Sequence, residues 1–207
     1  MSDVIVQGDS EHPLFIFAHG AGAGMEHAFM EQVATGLVNT GIQVIRFNFP
    51  YMVKRTEDGK KRPPDRAPKL LEAFQDVIAK YATKPVVIGG KSMGGRMASL
   101  LAQEENVAAV ACLGFPFHPP GKPEKYKAEH LATLEKPCLI LQGERDTFGK
   151  KEEFVDFELS PKVQVHFLPD GDHSFKPRKR SGYTEAENIE QTIAQLSQFI
   201  KEAYHEA

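Results

Sequence analysis

The sequence predicts an α/β fold in which helices cover both faces of a mostly parallel sheet of about six or seven strands. Two observations predict it. Short apolar, β-branched runs recur along the 207 residues, and stretches with helical periodicity separate them. Strands that are buried on both faces have continuous apolar runs rather than alternating patterns. The composition agrees, because 41% of the residues are hydrophobic, which is enough for a buried core.

Seven apolar runs are the candidate strands of this sheet. They span residues 3–7, 14–18, 43–49, 85–89, 107–113, 138–142 and 163–168. Helices are predicted at residues 26–38, 69–81, 93–103, 124–134, 150–157 and 184–204. In the last of these helices, Ile189, Ile193, Leu196 and Ile200 recur at spacings of four, three and four residues, which places them on one helical face. We expect that face to cover the sheet.

The longest segment without periodicity, residues 51–68, is predicted to be a basic loop, because it holds six Lys or Arg residues against three acidic ones. No repeat or shift in composition marks a boundary, so residues 1–207 are predicted to form one domain. A net charge of −3 disfavours general binding to nucleic acid or to an anionic membrane. The longest apolar stretches fall far short of the ~20 residues that span a bilayer. The first residues also lack the features of a secretory signal, so a cytoplasmic location is expected.

A serine lies where a predicted strand runs directly into a predicted helix. The passage Gly90-Lys91-Ser92-Met93-Gly94 fits the pattern G-x-S-x-G. Such a serine occupies a sharp, strained turn, and side chains at the two glycine positions would collide with neighbouring backbone. The turn exposes the hydroxyl and places it at a helix N-terminus, where free N–H groups favour a developing negative charge. The pattern therefore predicts that Ser92 is a nucleophile.

Two nucleotide-binding patterns overlap with glycine-rich parts of the sequence. Gly90-Lys91-Ser92 matches the end of the phosphate-loop pattern G-x-x-x-x-G-K-[ST], but Pro85 stands where its first glycine is required. The run Gly20-Ala21-Gly22-Ala23-Gly24 suggests the dinucleotide pattern G-x-G-x-x-G, yet Met25 or His27 occupies the third glycine position. Both patterns are incomplete, so nucleotide binding is disfavoured.

The order of chemical groups along the chain resembles that of the α/β-hydrolase superfamily, and the resemblance covers nearly the whole sequence. Its members carry a serine nucleophile, then an acid after a later strand, and then a histidine near the C-terminal end. Here Gly143-Glu144-Arg145-Asp146 follows the strand at 138–142, and Pro169-Asp170-Gly171-Asp172-His173 follows the strand at 163–168. The resemblance implies a three-layer α/β-hydrolase fold.

The same resemblance implies catalytic roles for three residues. Ser92 is the nucleophile, Asp146 the acid that orients the base, and His173 the base. Glu144 is a reserve acid. Asp172 is a poor orienter of the neighbouring histidine, because successive side chains in an extended segment point in opposite directions.

Residues 19–24 resemble the superfamily loop that begins with His-Gly and supplies one oxyanion donor. By this resemblance the backbone N–H groups of Ala21 and Met93 form the oxyanion hole, and each such donor is typically worth ~10²–10³ in turnover. The small residues Gly20 and Gly22 would let the loop backbone approach the substrate. The alternative is a glycine-rich turn that only connects a strand to a helix.

The chemistry implied by this set is the hydrolysis of a small carboxylic ester or thioester through an acyl-enzyme, without a metal or cofactor. A serine nucleophile argues against dehalogenase or epoxide hydrolase chemistry and departs from dienelactone hydrolases, which use cysteine. The interval 114–136 is too short for a helical lid, so an open or shallow site is expected. Phe115 and Phe117 are expected to form an apolar wall, unless they belong to the core, and His118 is expected to line the site.

Two further questions stay open at this level. The basic segment 51–68 and the run Lys176-Pro177-Arg178-Lys179-Arg180 are expected near the mouth of the site, so the substrate is either anionic or the charges are merely solvated. The chain is also similar to a cytosolic hydrolase-like family that includes a chromatin acetyltransferase-complex subunit. A hydrolase-like fold that serves as a binding or scaffold module is therefore the alternative function. The sequence does not predict the oligomeric state.

Overall fold

The computed structural model describes residues 4–206, and a seven-stranded sheet forms its centre. The strands are β1 (Val4–Gln7), β2 (Leu14–Ala18), β3 (Gln43–Phe47), β4 (Val86–Lys91), β5 (Val107–Leu113), β6 (Cys138–Gly143) and β7 (Val163–Leu168). Their spatial order is β1-β3-β2-β4-β5-β6-β7, with β1 antiparallel to β3 and every other neighbouring pair parallel. All seven predicted strands are present; Asp3, at the predicted start of the first, lies outside the described residues.

Helices cover both faces of this sheet, as the three-layer α/β-hydrolase prediction requires. They are α1 (Ala28–Asn39), α2 (Pro50–Asp58), α3 (Ala67–Tyr81), α4 (Met93–Leu100) and α5 (Glu185–Glu206). Helices α1 and α5 pack on one face, and α2, α3 and α4 pack on the other. Within residues 4–206, no helix combines the length and the apolar composition needed to cross a bilayer.

Strand β2 shows why the strands have continuous apolar sequences. Phe15 and Phe17 pack against α1 and α5, whereas Ile16 and Ala18 pack in the core on the opposite face. Successive side chains of a strand point to opposite faces, and here both faces are buried. The parallel sheet therefore shows no polar alternation in this strand.

The structure corrects the prediction that residues 51–68 form a loop, because residues 50–58 are helix α2. Pro50 occupies the first turn, where its missing N–H has no cost, and Gly59 ends the helix with a φ of 68°. Only Tyr51 and Met52 of this helix are buried. Two adjacent apolar residues leave no helical periodicity in the sequence, which is why the helix is not predicted.

Two of the predicted helices are only short 3₁₀ turns. Residues 124–134 contain one turn at Glu129–Thr133, and residues 150–157 contain another at Lys151–Asp156. In the second case, Phe154 and Phe157 both pack on the ring of Phe117, at centroid distances of 5.0 and 4.4 Å. Residues three apart lie on the same side of a 3₁₀ turn, so the spacing of Phe154 and Phe157 suits a 3₁₀ turn.

Candidate active site

Ser92 lies in the sharp turn between β4 and α4. Its φ of 51° and ψ of −115° are a strained conformation for a residue with a side chain, and the bond from its N–H to Leu113 O, 2.8 Å, holds the turn on β5. A Cβ on Gly94 would lie 2.5 Å from both Ala18 O and His19 O, and a Cβ on Gly90 would collide with the backbone of Gly94. Backbone atoms cannot yield, so the two glycines are required by space.

The structure brings Ser92, His173 and Asp146 into one hydrogen-bonded row. His173 Nε2 lies 2.9 Å from Ser92 Oγ, and its Nδ1 lies 2.8 Å from Asp146 Oδ2. The carboxylate only accepts hydrogen bonds, so Nδ1 carries the proton and Nε2 is free to accept one from the serine hydroxyl. Asp146 is fully buried, whereas the His173 side chain is 26% exposed. The three residues follow β4, β6 and β7, whose carboxyl ends share one edge of the sheet.

Two neighbouring groups orient the Asp146 carboxylate. The backbone N–H of Phe148 donates to Oδ1 at 2.9 Å, and Gln142 Nε2 donates to Oδ2 at 3.2 Å. The Phe148 ring also stacks on the His173 imidazole, with a centroid distance of 4.2 Å. Phe148 therefore contacts Asp146 through its backbone and His173 through its ring.

The other acids named from the sequence face elsewhere. Glu144 accepts a hydrogen bond from Asp170 N at 2.9 Å and pairs with Lys151 at 2.8 Å. Asp172 Oδ1 accepts from the backbone N–H groups of Ser174 and Lys176. Neither carboxylate is hydrogen-bonded to an imidazole nitrogen of His173. Of these three acids, Asp146 is therefore the one that contacts the imidazole.

Ion pairs hold the segment that carries His173, which we call the histidine loop (residues 169–176). Asp170 has a φ of 50° and accepts hydrogen bonds from Arg178, including 2.8 Å from its backbone N–H. Arg145 forms a second ion pair with Asp170, with 3.1 Å between Arg145 Nε and Asp170 Oδ1. The hydrogen bonds from Arg178, together with the charge of Arg145, lower the pKa of Asp170 to about 2. Arg178 therefore braces this loop rather than pointing freely towards the site.

Residues 19–24, which we call the oxyanion loop after the role expected for them, are held on their buried side by neutral groups, whereas Arg55 Nη1 donates to Gly22 O at 2.8 Å. His19 is fully buried; its Nδ1–H donates to Gly20 O at 2.7 Å, while its Nε2 accepts from Phe49 N at 3.0 Å. Burial lowers the pKa of His19 to about 4, so the ring is neutral at physiological pH. The Tyr51 hydroxyl donates to Ala21 O at 2.8 Å, and burial raises its pKa.

The two backbone donors expected for an oxyanion have no protein acceptor. Neither Ala21 N–H nor Met93 N–H bonds to another group within residues 4–206. Met93 is the first residue of α4, where an N–H has no partner inside the helix. Both N–H groups are free to bind an anionic oxygen.

A cavity of about 310 Å³ lies against Ser92 and His173. Its remaining lining residues are Gly20, Ala21, Gly22, Ala23, His27, Phe29, Met30, Lys91, Phe148 and Ser174. Gly20 and Gly22, which were predicted to contact the substrate, both line this cavity. A Cβ on Gly22 would meet no atom within 4 Å, so this side of the cavity is open. Three larger cavities, of about 320, 340 and 480 Å³, contact neither Ser92 nor His173.

The structure corrects the expected apolar wall. Phe115 and Phe117 are fully buried in the core and do not line the cavity. His118 is also buried, with Nε2 2.7 Å from Glu153 Oε1 and Nδ1 2.9 Å from Pro119 O. All three side chains are therefore packed away from the cavity. The aromatic lining comes instead from Phe29 and Phe148.

Sequence reasoning assigned no function to three residues that shape the site. Lys91 lines the cavity and Phe148 stacks on the imidazole. The Tyr51 hydroxyl donates a hydrogen bond to Ala21 O in the oxyanion loop. Proximity in sequence was the available signal for two of them, since Lys91 adjoins Ser92 and Phe148 follows Asp146 by two residues. Tyr51 gave no such signal. Within residues 4–206, no three His, Cys, Asp or Glu side chains are grouped closely enough to hold a metal ion.

Comparison with known proteins places the chain in a family. A family model described as an alpha/beta hydrolase domain matches residues 11–201. Est1E from Butyrivibrio proteoclasticus with bound ferulic acid is similar with a TM-score of 0.72 at 16% identity, covering 98% of this chain and 95% of that chain. An alpha-beta serine hydrolase homologue from Coxiella burnetii has a TM-score of 0.67 at 18% identity, covering 94% and 89%.

A thioesterase domain from the curacin biosynthetic pathway has a TM-score of 0.66 at 13% identity, covering 95% of this chain and 93% of that chain. At these identities the similarity to the solved structures is one of fold. The family model, in contrast, matches most of the sequence itself. This protein therefore belongs to the alpha/beta hydrolase domain family.

Proposed function

We propose that this protein is a serine hydrolase that cleaves carboxylic esters or thioesters of small substrates. The observation that carries the proposal is the row of hydrogen bonds from Ser92 through His173 to Asp146, next to a cavity. The family membership supports it. So does Est1E, which holds ferulic acid, a carboxylic acid of the kind that ester cleavage releases. A cavity of about 310 Å³ suits a short acyl group.

In the first half of the reaction, Ser92 Oγ attacks the acyl carbon while its proton passes to His173 Nε2. Asp146 accepts the Nδ1–H hydrogen bond throughout and stabilises the imidazolium. The negative charge that develops on the acyl oxygen is bound by the N–H groups of Ala21 and Met93. The tetrahedral intermediate collapses when the imidazolium gives its proton to the leaving alcohol or thiol, which departs and leaves an acyl-serine.

In the second half, water takes the place of the departed group. His173 Nε2 accepts a proton from that water, whose oxygen attacks the acyl carbon, and the same two N–H groups bind the oxyanion. The proton then returns to Ser92 Oγ as the carboxylic acid leaves. Apart from the substrate and water, these steps use only groups of the chain itself.

Labelling with a fluorophosphonate probe tests the proposal, because such probes phosphonylate only an activated serine. We expect the wild type to be labelled and Ser92→Ala to be unlabelled. On a panel of short and medium acyl esters and thioesters, Ser92→Ala should lower kcat on the order of 10⁶-fold. Circular dichroism checks that the variant is folded.

A folded wild-type protein that resists the probe and hydrolyses none of these substrates would contradict the proposal. It would favour the alternative, a binding module with a hydrolase fold. Labelling that persists in Ser92→Ala would also contradict it, because the nucleophile would then be another residue.

A further inference from the structure

Lys91 is the lysine that immediately precedes the nucleophile, and its side chain lines the cavity beside Ser92 and His173. The other lining residues described above include two histidines and aromatic, apolar and small residues, but no Asp or Glu. Asp146 lies fully buried behind the imidazole and does not face the cavity. The wall of the cavity therefore carries a lysine and no fixed negative charge.

The ammonium of Lys91 is only partly satisfied by the protein. It donates one hydrogen bond to the carbonyl oxygen of His173, and it lies 5.5 and 5.8 Å from the ring centroids of Phe29 and Phe175. Within residues 4–206 it forms no ion pair with a carboxylate. An ammonium has three hydrogens to donate, so donors remain for a further acceptor.

Lys91 is partly buried. Burial lowers its pKa to about 8, which still lies above neutral pH, and the negative charges of Asp146 and Asp172 oppose that shift. A partly buried cation without a carboxylate partner loses hydration, and a group of perturbed pKa in a cleft commonly serves function. A bound anion would supply the missing partner.

Gly114 shows how close this charge lies to the reacting groups. A Cβ on Gly114 would be 2.8 Å from Lys91 Nζ and 3.3 Å from His173 Cε1. Lys91 Nζ and the edge of the imidazole therefore both lie close to Gly114. Because Lys91 is the lysine of the cavity lining, its charge would attract a negatively charged group on a substrate bound at Ser92.

We propose that Lys91 makes the cavity selective for an ester or thioester that carries a carboxylate near its scissile bond. This inference rests on the proposed hydrolase function and adds the substrate class. It differs from the expectation drawn from the surface run 176–180, because Arg178 of that run is paired with Asp170. One charge-assisted hydrogen bond corresponds to a selectivity of roughly tenfold to a hundredfold.

A matched pair of substrates tests the proposal. Mono-p-nitrophenyl glutarate carries a free carboxylate, and its methyl ester is a neutral analogue with the same scissile bond. We would compare kcat/KM for both in the wild type, Lys91→Met and Lys91→Gln. Methionine removes the charge and the donor, whereas glutamine removes the charge but can still donate to His173 O.

We expect the wild type to prefer the anionic ester, and both variants to lower that preference by roughly tenfold to a hundredfold. On the neutral ester, Lys91→Gln should lose less activity than Lys91→Met, because it can still donate to His173 O. The double variant Lys179→Gln/Arg180→Gln, which removes exposed charges outside the cavity lining, is the matched control and should retain the wild-type preference.

An unchanged preference in both Lys91 variants would overturn the proposal. So would an equal loss on both esters in Lys91→Met that Lys91→Gln restores, because Lys91 would then only position the histidine loop. Loss of preference in the Lys179/Arg180 control alone would assign the selectivity to the surface. Fluorophosphonate labelling of the wild type separates these outcomes from failure of the hydrolase proposal, since labelling does not depend on the acyl charge.

Discussion

The oxyanion loop follows β2, which lies inside the sheet, whereas the histidine loop follows β7 at the sheet edge. The buried imidazole of His19 and the hydroxyl of Tyr51 hold the buried side of the first loop, and both groups are neutral, whereas the cation that contacts this loop, Arg55, is only partly buried. Ion pairs of Asp170 with Arg178 and Arg145 hold the second. Charges at the edge stay near water, whereas a charge beneath β2 would lose its hydration. The degree of burial therefore decides which chemistry can support each loop.

Among the substitutions that compare the two loops, the largest expected effect follows from breaking the contact between His173 and the buried Asp146. In Asp146→Asn, the side-chain oxygen would keep the hydrogen bond from Phe148 N, which turns the amide NH₂ towards His173 Nδ1. The imidazole would then lose the tautomer in which Nε2 accepts the Ser92 proton. We expect kcat for a short acyl ester to fall by about 10⁴-fold, with little change in KM.

Asp172→Asn is the matched control, since its carboxylate accepts only from the backbone N–H groups of Ser174 and Lys176. An asparagine oxygen can accept the same bonds, so kcat should be nearly unchanged. Equal losses in the two variants would mean that Asp146 is not the acid of the reaction.

The two loops should also respond to acid in different pH ranges. The pKa of His19 in the folded state, about 4, lies below its ordinary value of 6.5, so its stabilising contribution is complete above pH 6.5 and is lost as pH falls towards 4. The pKa of Asp170, about 2, lies below 3.8, so its contribution is lost only as pH falls from 3.8 towards 2. The loop held by neutral groups should therefore weaken first.

Urea unfolding of the wild type and His19→Gln between pH 7.5 and pH 4 measures this difference. Glutamine can still accept from Phe49 N but does not titrate. The advantage of the wild type in unfolding free energy should shrink by ~3 kcal/mol over that range. If the unfolding free energies of the two proteins instead changed in parallel with pH, folding would not lower the pKa of His19.

The smallest expected effect comes from Tyr51→Phe, which removes one hydrogen bond from the oxyanion loop and little volume. The carbonyl of Ala21 loses its donor, so the free energy of unfolding should fall by ~1 kcal/mol. The backbone N–H of Ala21 should then be held less rigidly in the orientation that binds the oxyanion, so kcat should fall roughly tenfold. Steady-state kinetics and urea unfolding check both values, and a loss in KM alone would contradict this role.

The strands could be predicted from the sequence because burial on both faces leaves a plain apolar signal. The predicted bounds of β5 match those of the structure, Val107–Leu113. Helix α2 gave no such signal, because Tyr51 and Met52 are its buried residues and lie next to each other. Periodicity detects an element only when burial repeats along it.

The candidate site could be predicted only in part, for a related reason. The proximity of Ser92, Asp146 and His173 could be predicted because each follows a strand in the expected order. Tyr51 and Lys91 contact partners that lie 30 and 82 residues away, so their positions depend on packing that no local pattern encodes. Packing between distant segments also explains the aromatic lining of the cavity. It comes from Phe29 and Phe148, whereas Phe115 and Phe117, which the sequence suggested, are buried in the core.

Gly22 gives this site a natural point of adjustment. The backbone there avoids the left-handed region, and the space beyond its Cα is empty, so the fold does not need a glycine at this position. Gly22 is exposed at the rim of the cavity, so a valine or leucine would add bulk there without a clash at its Cβ. Substitution at this one position could therefore change the shape of the cavity rim without disturbing the fold.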